Sequence, residues 1–501
     1  MICSLFRGRR VHLMGIGGAG VSALVPLLQE VGAIVSGCDC SAGPVVARLR
    51  AAGVAIAMGH GPEHGLDVDL IVHTAAVPVD HPELAAARAR GVPVLTRGEC
   101  LVELMTGTRT IAVSGSHGKS TTTWMVGHLL TEAGLDPVVM VGGSVASLGG
   151  GARAGKSDLF VAETDESDGS FADVEPEIAI VTNLDHEHLR HYGSFSALER
   201  SFNAWLRTIP ASGAAIVPTS GLGERVLDGV VARVVRCGLD AGDYHCTELD
   251  LGADGSRARI SGFGVDLGEV RVTLPGAHMV HNALMAIAAV RHIAPDCDLS
   301  ALARCERVRR RFTVHGSPAG VRIVEDYGHH PTEVRATIAA ARLGGGRVHV
   351  VFQPHRFTRT ADSFADFTAA FDQADTVVLL PIYAASEEPI AGVDARHLAD
   401  AIRARRGIDP PVSHVDDEAD AVAAIATRAR AGDTVLILGA GDVGDLAGPF
   451  MRFFPQAGRD HGVAAGNAPV KVSEKTGEMA SENASNKASK KLSDALVQEV
   501  A

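Results

Sequence analysis

A strand, a glycine-rich loop, a Lys-Ser pair and a helix follow one another over residues 110–130, and this order constrains the fold strongly. Residues 110–113 form an apolar run that predicts a strand, and the pattern of residues 124–130 predicts a helix. The loop between them contains Ser114-Gly115-Ser116-His117-Gly118-Lys119-Ser120-Thr121. In such a loop, glycines let the backbone approach a phosphate, and amide N–H groups at a helix N-terminus bind its oxygens. The sequence therefore predicts an α/β protein that binds a nucleoside triphosphate.

Two side chains of this loop carry predicted roles. Lys119 is predicted to reach the β- and γ-phosphates, and Ser120 to offer its hydroxyl to Mg²⁺. Four residues separate the glycines of the common phosphate-binding loop, whereas two separate Gly115 from Gly118. The alternative is a Gly/Ser-rich turn with an incidental lysine, but it does not explain why strand, loop, Lys-Ser and helix coincide.

The composition of the 501-residue chain fits a multidomain α/β protein. Hydrophobic residues make up 46% and aromatic residues 4%, so the cores are predicted to be aliphatic, and the 56 glycines suit the turns of parallel sheets. The net charge of -13 argues against general binding of nucleic acids or anionic membranes.

The cysteines and the apolar runs bear on the cellular compartment. Eight cysteines are scattered without a C-x-x-C pair, which argues against a disulfide framework or a structural zinc site. No apolar run reaches the length of about 18–20 residues that a membrane span needs. The N-terminus has basic residues but no apolar stretch of signal-peptide length. We therefore expect a cytoplasmic protein without membrane insertion.

The first block of the chain has the pattern of a Rossmann-type βαβ unit. An apolar strand runs into G-x-G-x-x-G over residues 15–20, and residues 21–31 are predicted to form a helix. A strand over 33–37 then leads to Asp39, roughly where a ribose contact is expected. We expect a nucleotide-diphosphate site here; the alternative is a tight βα turn that binds no ligand.

The middle block places carboxylates and histidines at predicted strand ends. The strand over 158–162 ends at Glu163, and the strand over 178–182 leads to a cluster that includes His188. Because ligands collect at the carboxyl ends of parallel strands, Glu163 is predicted to bind Mg²⁺ together with Ser120. The alternative is that Glu163 and the acids after it form a solvated acidic loop. His188 either ligates a metal, binds an anion or does neither.

The third block predicts another doubly wound sheet, with strands over 322–326, 348–352 and 434–438 and helices between them. Arg356 and Arg359 follow a strand end, and their spacing of three would place both on one side of a helical turn. Two guanidiniums there suit a carboxylate or a phosphate. The alternative is a pair of surface arginines with salt-bridge partners.

Several strings, in the same order over about residues 10–455, resemble the Mur ligases. These strings are 15–20, 114–123, 163–170, 274–278, 310–312, 326–333 and 352–360. Together they are more specific than any single motif, and the short glycine spacing is itself typical of this family's ATP loop.

The resemblance implies a three-domain α/β architecture. A Rossmann-like N-terminal domain is expected over 1–106, a central P-loop ATPase-like domain over 107–312 and a Rossmann-like C-terminal domain over 313–457. Residues 458–501 are polar with few large apolar groups, and they are predicted to form a disordered tail. A short amphipathic helix over 491–500 is an alternative for its end.

The resemblance also implies an activity. ATP would phosphorylate the lactyl carboxylate of UDP-N-acetylmuramate, and the amine of L-alanine would attack the acyl phosphate. The implied cofactors are ATP and Mg²⁺. The implied partners are the two small-molecule substrates, with no nucleic acid and no membrane insertion, and the protein would be a monomer or a weak homodimer.

Residue roles follow from the family's motifs. The residues implied to bind ATP are Gly115, Ser116, His117, Gly118, Lys119, Ser120, Thr121, Asn282, Arg311 and Asp326. The residues implied to bind the UDP sugar are Gly15, Gly17, Gly18, Gly20, Asp39 and Thr74. The residues implied at the amino-acid and lactyl end are His330, Arg356 and Arg359. The implied metal ligands are Ser120, Glu163 and His188, and the implied catalytic residues are Lys119, Glu163 and His188.

Some positions depart from the family's pattern. They are Ser116, Ser120, Glu187, Arg190, Ala277 and Met279. Both serines keep a hydroxyl where threonine is usual. Met279 replaces a common asparagine at part of the implied adenine contact, and none of the changes removes an expected catalytic group.

Three other functions compete with this one. A ligase of the same mechanism that adds a tripeptide to the same UDP sugar usually has a different glycine string in its first block. A dinucleotide-dependent oxidoreductase would use the first block alone and leaves the ATP loop unexplained. A non-catalytic UDP-sugar sensor would not need Lys119, Glu163 and His188, which are all present.

Overall fold

The computed structural model describes residues 5–74, 76–167, 169–407 and 411–454. Within these ranges, three β-sheets carry helices on their faces, so the predicted α/β class is confirmed. The predicted tail from residue 458, its helix over 491–500 and Asp168 lie outside the described residues. Among the helices that are described, none combines the length and the apolarity that a bilayer crossing requires.

The first sheet is parallel throughout. Its strands are β1 (Arg10–Met14), β2 (Ile34–Asp39), β3 (Ala55–Met58), β4 (Leu70–His73) and β5 (Val94–Thr96). Its helices are α1 (Ala19–Glu30), α2 (Pro44–Ala51), α3 (Pro82–Ala89) and α4 (Arg97–Met105). The strand order is β3–β2–β1–β4–β5. The glycine loop after β1 therefore lies where the strand order reverses, which is where open α/β sheets bind ligands.

The second sheet is the largest. Its strands are β6 (Arg109–Ser114), β7 (Val138–Val145), β8 (Gly150–Arg153), β9 (Leu159–Glu163), β10 (Ile178–Val181), β11 (Ala214–Pro218), β12 (Arg233–Cys237), β13 (Tyr244–Gly252), β14 (Gly255–Gly262) and β15 (Val265–Val272). Its helices are α5 (Lys119–Glu132), α6 (Leu189–Tyr192), α7 (Phe195–Leu206) and α8 (Ala277–Ile293). The order is β15–β14–β13–β12–β11–β10–β6–β9–β7–β8, with antiparallel hairpins at both ends.

The third sheet is parallel except for its first strand. Its strands are β16 (Thr313–Gly316), β17 (Arg322–Asp326), β18 (Val348–Phe352), β19 (Thr376–Leu379), β20 (Val412–His414) and β21 (Thr434–Leu438). Its helices are α9 (Pro331–Arg342), α10 (Phe357–Asp362), α11 (Phe364–Ala370), α12 (Ala395–Arg406), α13 (Glu418–Ala426) and α14 (Ala447–Phe453). The order is β16–β17–β21–β18–β19–β20.

Strand β6 is buried on both faces, which explains its continuous apolar sequence. Ile111 and Val113 join a core cluster that also contains Val324 of the third sheet. Ala112 points to the opposite face and joins a cluster that contains Leu24 of α1. The middle sheet therefore shares one core with the first block and another with the third.

Two helices begin earlier than predicted, namely α1 and α5. Their first turns contain small or polar side chains, such as Ala19 and Ser120, which give no apolar periodicity. Ser120 is nevertheless buried. The sequence pattern therefore reveals only the later, apolar turns of these helices.

Candidate functional site

The loop between β6 and α5 has a backbone that only glycine tolerates at two positions. Gly115 and Gly118 have φ of 122° and 85°, in the region where other side chains are strained. A Cβ on Gly115 would lie 2.4 Å from Oγ1 of Thr182, and one on Gly118 would lie 2.7 Å from Oδ1 of Asn282. Helix α5 begins directly after Gly118, so its N-terminal amides open at the loop.

Lys119 is the first residue of α5 and forms a buried ion pair. Its Nζ donates to the carbonyl oxygen of Gly115 at 2.7 Å and to Oε1 of Glu166 at 2.9 Å. Burial alone would lower the pKa of Lys119, but the carboxylates of Glu166 and Asp165 raise it above its ordinary value. Lys119 is therefore a charged ammonium. Burial raises the pKa of Glu166 to about 7, although the Lys119 charge opposes this rise.

The predicted metal ligands lie in the neighbourhood of Lys119. Ser120 follows it on α5, and both Glu163 and His188 lie close enough to interact electrostatically with its ammonium. Glu163 ends β9, and its Oε2 accepts a hydrogen bond from the N–H of Gly142 at 2.6 Å. Burial lowers the pKa of His188 to about 4, so its imidazole is neutral near pH 7. The hydroxyl and the carboxylate are oxygen ligands of the kind that Mg²⁺ prefers, and the neutral imidazole can ligate a divalent transition-metal ion.

His188 also has strained backbone geometry. Its φ of 58° lies in the left-handed region, and it directly precedes α6. Its Nε2 is 3.6 Å from Oε1 of Glu166, the carboxylate that pairs with Lys119. Such strain at a non-glycine residue is frequent at functional sites.

A cavity of about 360 Å³ adjoins the loop. Its size falls in the range of small-molecule sites, about 300–1,000 Å³. Six of the residues predicted to bind ATP line it, namely His117, Gly118, Thr121, Asn282, Arg311 and Asp326. These residues come from the middle and third blocks, and the tertiary structure brings them to one space.

His117 joins the loop to α9. Its Nε2 lies 3.1 Å from Oδ2 of Asp185, and its Nδ1 lies 3.4 Å from Oε1 of Glu333. Burial alone would lower the pKa of His117, but Glu333 and Asp185 raise it to about 10. The hydroxyl of Thr332 also donates to Oδ2 of Asp185 at 2.6 Å. A charged imidazolium between two carboxylates therefore ties the loop to the third block.

Asp326 and Arg311 have partners beyond the cavity. The Asp326 carboxylate accepts hydrogen bonds from the backbone N–H groups of Phe312 and Gly328, both at 2.7 Å. Burial raises the pKa of Asp326 above its usual range. The guanidinium of Arg311 lies 5.0 Å from the ring centroid of Tyr327. Asp326 thus fixes the backbone just before β16 and just after β17, as well as lining the cavity.

The residues predicted for the amino-acid end have different carboxylate partners. Nε of Arg359 donates to Oε1 of Glu187 at 3.1 Å. Arg356 is half exposed, and its Nη1 lies 3.7 Å from Oε1 of Glu387. Nδ1 of His330 lies near Asp185. Burial would raise the pKa of Glu187, but His329 and Arg359 hold it well below its usual range.

The glycine loop of the first block is held from two sides. Gly15 has a φ of 78°, and a Cβ there would lie 2.8 Å from Cγ2 of Thr74. The N–H of Gly17 donates to Oδ2 of Asp39 at 2.8 Å. A Cβ on Gly20 would meet the Arg97 side chain at 2.8 Å. Asp39, predicted near a ribose, thus also anchors the loop backbone.

Several cavity residues received no role from the sequence, namely Asn183, His278, Glu333 and Thr337. Asn183 holds the loop: its Oδ1 accepts from the N–H of His117 at 2.9 Å, and its Nδ2 donates to the His117 carbonyl oxygen at 2.9 Å. The signal was present, since Asn183 follows a predicted strand end and Glu333 lies in the first turn of a predicted helix.

Comparison with protein-family models matches three models in chain order. The Mur ligase family catalytic domain matches residues 10–109. The Mur ligase middle domain matches residues 113–290, and the Mur ligase glutamate ligase domain matches residues 310–441.

Individual relatives match along most of the chain. UDP-N-acetylmuramate–L-alanine ligase of Anaeromyxobacter dehalogenans is 44% identical, covering 89% of this chain and 98% of that protein. The ligase of the same name from Mycolicibacterium smegmatis is 42% identical, covering 88% and 94%. The crystal structure of UDP-N-acetylmuramate-alanine ligase MurC from Thermotoga maritima matches with a TM-score of 0.75 at 27% identity, covering 89% and 98%. A murein peptide ligase from Psychrobacter arcticus shares the fold with a TM-score of 0.66 at 23% identity, covering 90% and 100%.

Proposed function

The chain belongs to the Mur ligase family, and we propose that it joins L-alanine to the lactyl carboxylate of UDP-N-acetylmuramate with ATP as phosphoryl donor. The products are UDP-N-acetylmuramoyl-L-alanine, ADP and phosphate, and the reaction belongs to peptidoglycan synthesis. The relatives that carry this activity in their names are 40–45% identical to this chain over most of its length.

One observation of the structure carries the proposal. A charged Lys119 at the N-terminus of α5 lies beside a cavity that six of the predicted ATP-binding residues line. Phosphoryl transfer needs positioned positive charge more than covalent help from the protein. Lys119 and the amides of the loop supply that charge next to a space of suitable size.

The proposed reaction has two steps. The γ-phosphoryl group passes to a lactyl carboxylate oxygen, and ADP leaves with the electrons of the broken P–O bond. The L-alanine amine then attacks the acyl carbon and loses a proton, and phosphate leaves with the electrons of the C–O bond. In the first step, Lys119 exchanges its contacts with Glu166 and Gly115 for contacts with phosphate oxygens.

The other predicted site residues would bind the metal ions and the two substrates. Ser120 and Glu163 would hold Mg²⁺, with His188 at a second cation, and this charge would neutralise the phosphates when bound. The first glycine loop, with Gly17, Gly18 and Thr74, binds the UDP moiety of the substrate. His330, Arg356 and Arg359 orient the lactyl and amino-acid groups. The proposed domains are 1–106, 107–312 and 313–457. We place the enzyme in the cytoplasm.

The test is a reconstitution. Purified full-length protein is incubated with ATP, Mg²⁺, UDP-N-acetylmuramate and L-alanine, and released phosphate and product mass are followed. We expect phosphate release that requires both substrates, and a product heavier by one alanine residue.

Two other results would change the assignment. Reaction with a tripeptide but not with L-alanine would keep the mechanism and identify the peptide-adding ligase. Binding of the UDP sugar without turnover with any amine donor would identify a non-catalytic sensor and overturn the proposal.

A further inference from the structure

A cluster of potential metal ligands is buried in the first block, in residues to which the proposed reaction gives no role. His12 lies on β1, Cys38 on β2 and Glu83 in the first turn of α3. His64 lies on the short turn Pro62–Gly65 that precedes β4. Three of the four side chains are buried, and that of His64 is partly buried. The sheet, the turn and the helix thus bring these four polar side chains together in the interior of the first block.

The donor atoms lie close enough together to share one ion. One donor atom from each of the four side chains can be chosen so that all lie within 4.8 Å of one another. Nε2 of His12 and Sγ of Cys38 each lie 3.4 Å from Oε1 of Glu83, and Nδ1 of His64 lies 3.4 Å from Oε2. Ligands at about 2.0–2.3 Å from a tetrahedral Zn²⁺ stand about 3.3–3.8 Å apart.

His12 directs one ring nitrogen into the cluster. Its Nε2 is buried and lies 3.4 Å from Oε1 of Glu83, but it makes no contact with hydrogen-bond geometry. The other ring nitrogen, Nδ1, lies 3.0 Å from the hydroxyl of Ser36, which orients the ring. A metal ion in the cluster would give Nε2 a directional partner.

We propose that His12, Cys38, His64 and Glu83 form a binding site for a divalent transition-metal ion, with Zn²⁺ as the preferred ion. A thiolate, two imidazoles and a carboxylate are usual donors for zinc, and the thiolate and the imidazoles are poor donors for Mg²⁺. The supporting contacts also fit, because Ser36 orients His12 and the N–H of Gly61 donates to Oε2 of Glu83 at 2.9 Å.

The sequence did not predict this site because its four ligands are far apart along the chain. The absence of a C-x-x-C pair argued against structural zinc, but one cysteine from β2 meets histidines from β1 and from a turn. The side chain of His64 is 14% exposed and that of the adjacent His60 is 17% exposed, so these two residues mark the side from which an ion would enter.

The site adjoins the first glycine loop. The carbonyl oxygen of Cys38 accepts hydrogen bonds from the N–H groups of Gly15 at 2.9 Å and of Ile16 at 3.2 Å. An ion bound to the Cys38 sulfur would therefore hold the residue that positions this loop. Its role is structural: it ties β1, β2, the 62–65 turn and α3 together.

Cobalt provides a direct test, because Co²⁺ bound by a thiolate gives a near-ultraviolet charge-transfer band. Full-length protein is freed of metal with a chelator and titrated with Co²⁺ and then with Zn²⁺. We expect a band that saturates at about one Co²⁺ per chain and that Zn²⁺ abolishes. The His117, Asp185 and His330 cluster contains no thiol, so it cannot produce this band.

Two cysteine variants make the test specific. Cys38→Ser is expected to lose the band, whereas Cys40→Ser, which changes an exposed cysteine two residues away, is expected to retain it. Zn²⁺ is expected to raise the thermal midpoint of wild type and of Cys40→Ser but not that of Cys38→Ser.

His64→Gln provides a second test of the site in case the Cys38→Ser protein does not fold. This change lies at the partly exposed edge of the cluster, and it is expected to weaken Co²⁺ binding at least tenfold while the metal-free circular dichroism matches wild type. A wild-type protein without the band would overturn the proposal and leave a hydrogen-bonded cluster without an ion. A band that persists in Cys38→Ser would overturn it as well.

Discussion

Replacing Lys119 with methionine is expected to abolish turnover and, separately, to make the stability of the middle block depend more strongly on pH. Methionine keeps most of the aliphatic length but removes the ammonium that donates to Glu166 at 2.9 Å and to Gly115 at 2.7 Å. The first effect concerns the substrate phosphates. The second concerns the carboxylate that is left behind in the core.

The two effects have different magnitudes. Losing a charge contact to the transferring phosphoryl group costs about 3–4 kcal/mol, or ~10²–10³ in rate. Removing one partner of a buried ion pair costs about 3–5 kcal/mol of stability. Glu166 avoids part of this cost by taking up a proton, since its pKa is about 7 even beside Lys119. Once Glu166 is protonated, the buried carboxylic acid without its partner lowers the free energy of unfolding by about 1–3 kcal/mol.

The direction of the pH dependence follows from linkage. Burial raises the pKa of Glu166 above its ordinary value of 4.5, so the folded protein holds this proton more tightly than the unfolded chain. The resulting stabilisation is complete below the unfolded pKa and is lost as the pH rises through the folded pKa. Without Lys119 the folded pKa lies higher still. The variant should therefore lose about 1–3 kcal/mol near pH 6 and about 3–5 kcal/mol near pH 9.

Urea unfolding followed by tryptophan fluorescence measures this effect selectively. The chain has 2 tryptophans, and both lie in the middle block, Trp124 on α5 and Trp205 on α7. A double variant, Lys119→Met with Glu166→Gln, removes the titrating carboxyl. It is expected to recover stability and to lose the part of the pH dependence that Glu166 causes, yet to remain inactive.

Two results would refute this reasoning. Turnover within tenfold of wild type in the folded single variant would remove Lys119 from phosphate binding. Equal pH dependence of unfolding in wild type and in the single variant would show that Lys119 and Glu166 are not coupled in the folded protein.

Two further predictions concern the same loop. Gly118→Ala should weaken ATP binding about tenfold or more, because the methyl group would lie 2.7 Å from Asn282 at a φ of 85°. Gly134→Ala is the matched control, since Gly134 has a φ of 79° and a Cβ there would have no neighbour within 4 Å. Equal ATP affinity in both variants would contradict the steric argument. His117, whose pKa is raised to about 10, should contribute stability that is complete below its ordinary pKa of 6.5 and declines as the pH rises toward 10. His117→Gln should flatten that decline in urea unfolding between these two pH values, and an unchanged decline would assign it to other groups.

The strands that were predicted with their observed bounds share one physical property. Residues 322–326, 348–352 and 434–438 are strands β17, β18 and β21, and most of their side chains are buried. Parallel strands covered on both faces give continuous apolar runs, which are visible in sequence. Strand β16 pairs only at an edge and was missed, because its four residues, Thr313–Gly316, have no such run.

The loop at 114–121 and the glycine loop at 15–20 were determined by the sequence itself, because each depends on neighbouring residues and on backbone angles that glycine permits. The tertiary structure alone decided which distant side chains meet. Lys119 and Glu166 are 47 residues apart, and Cys38 and Glu83 are 45 apart. Local periodicity shows which face of an element is apolar, but not which strand, turn or helix lies against that face. How the three sheets pack therefore decides which buried charged side chains pair. The same packing sets the pKa values of these side chains and decides which of them could ligate a metal ion together.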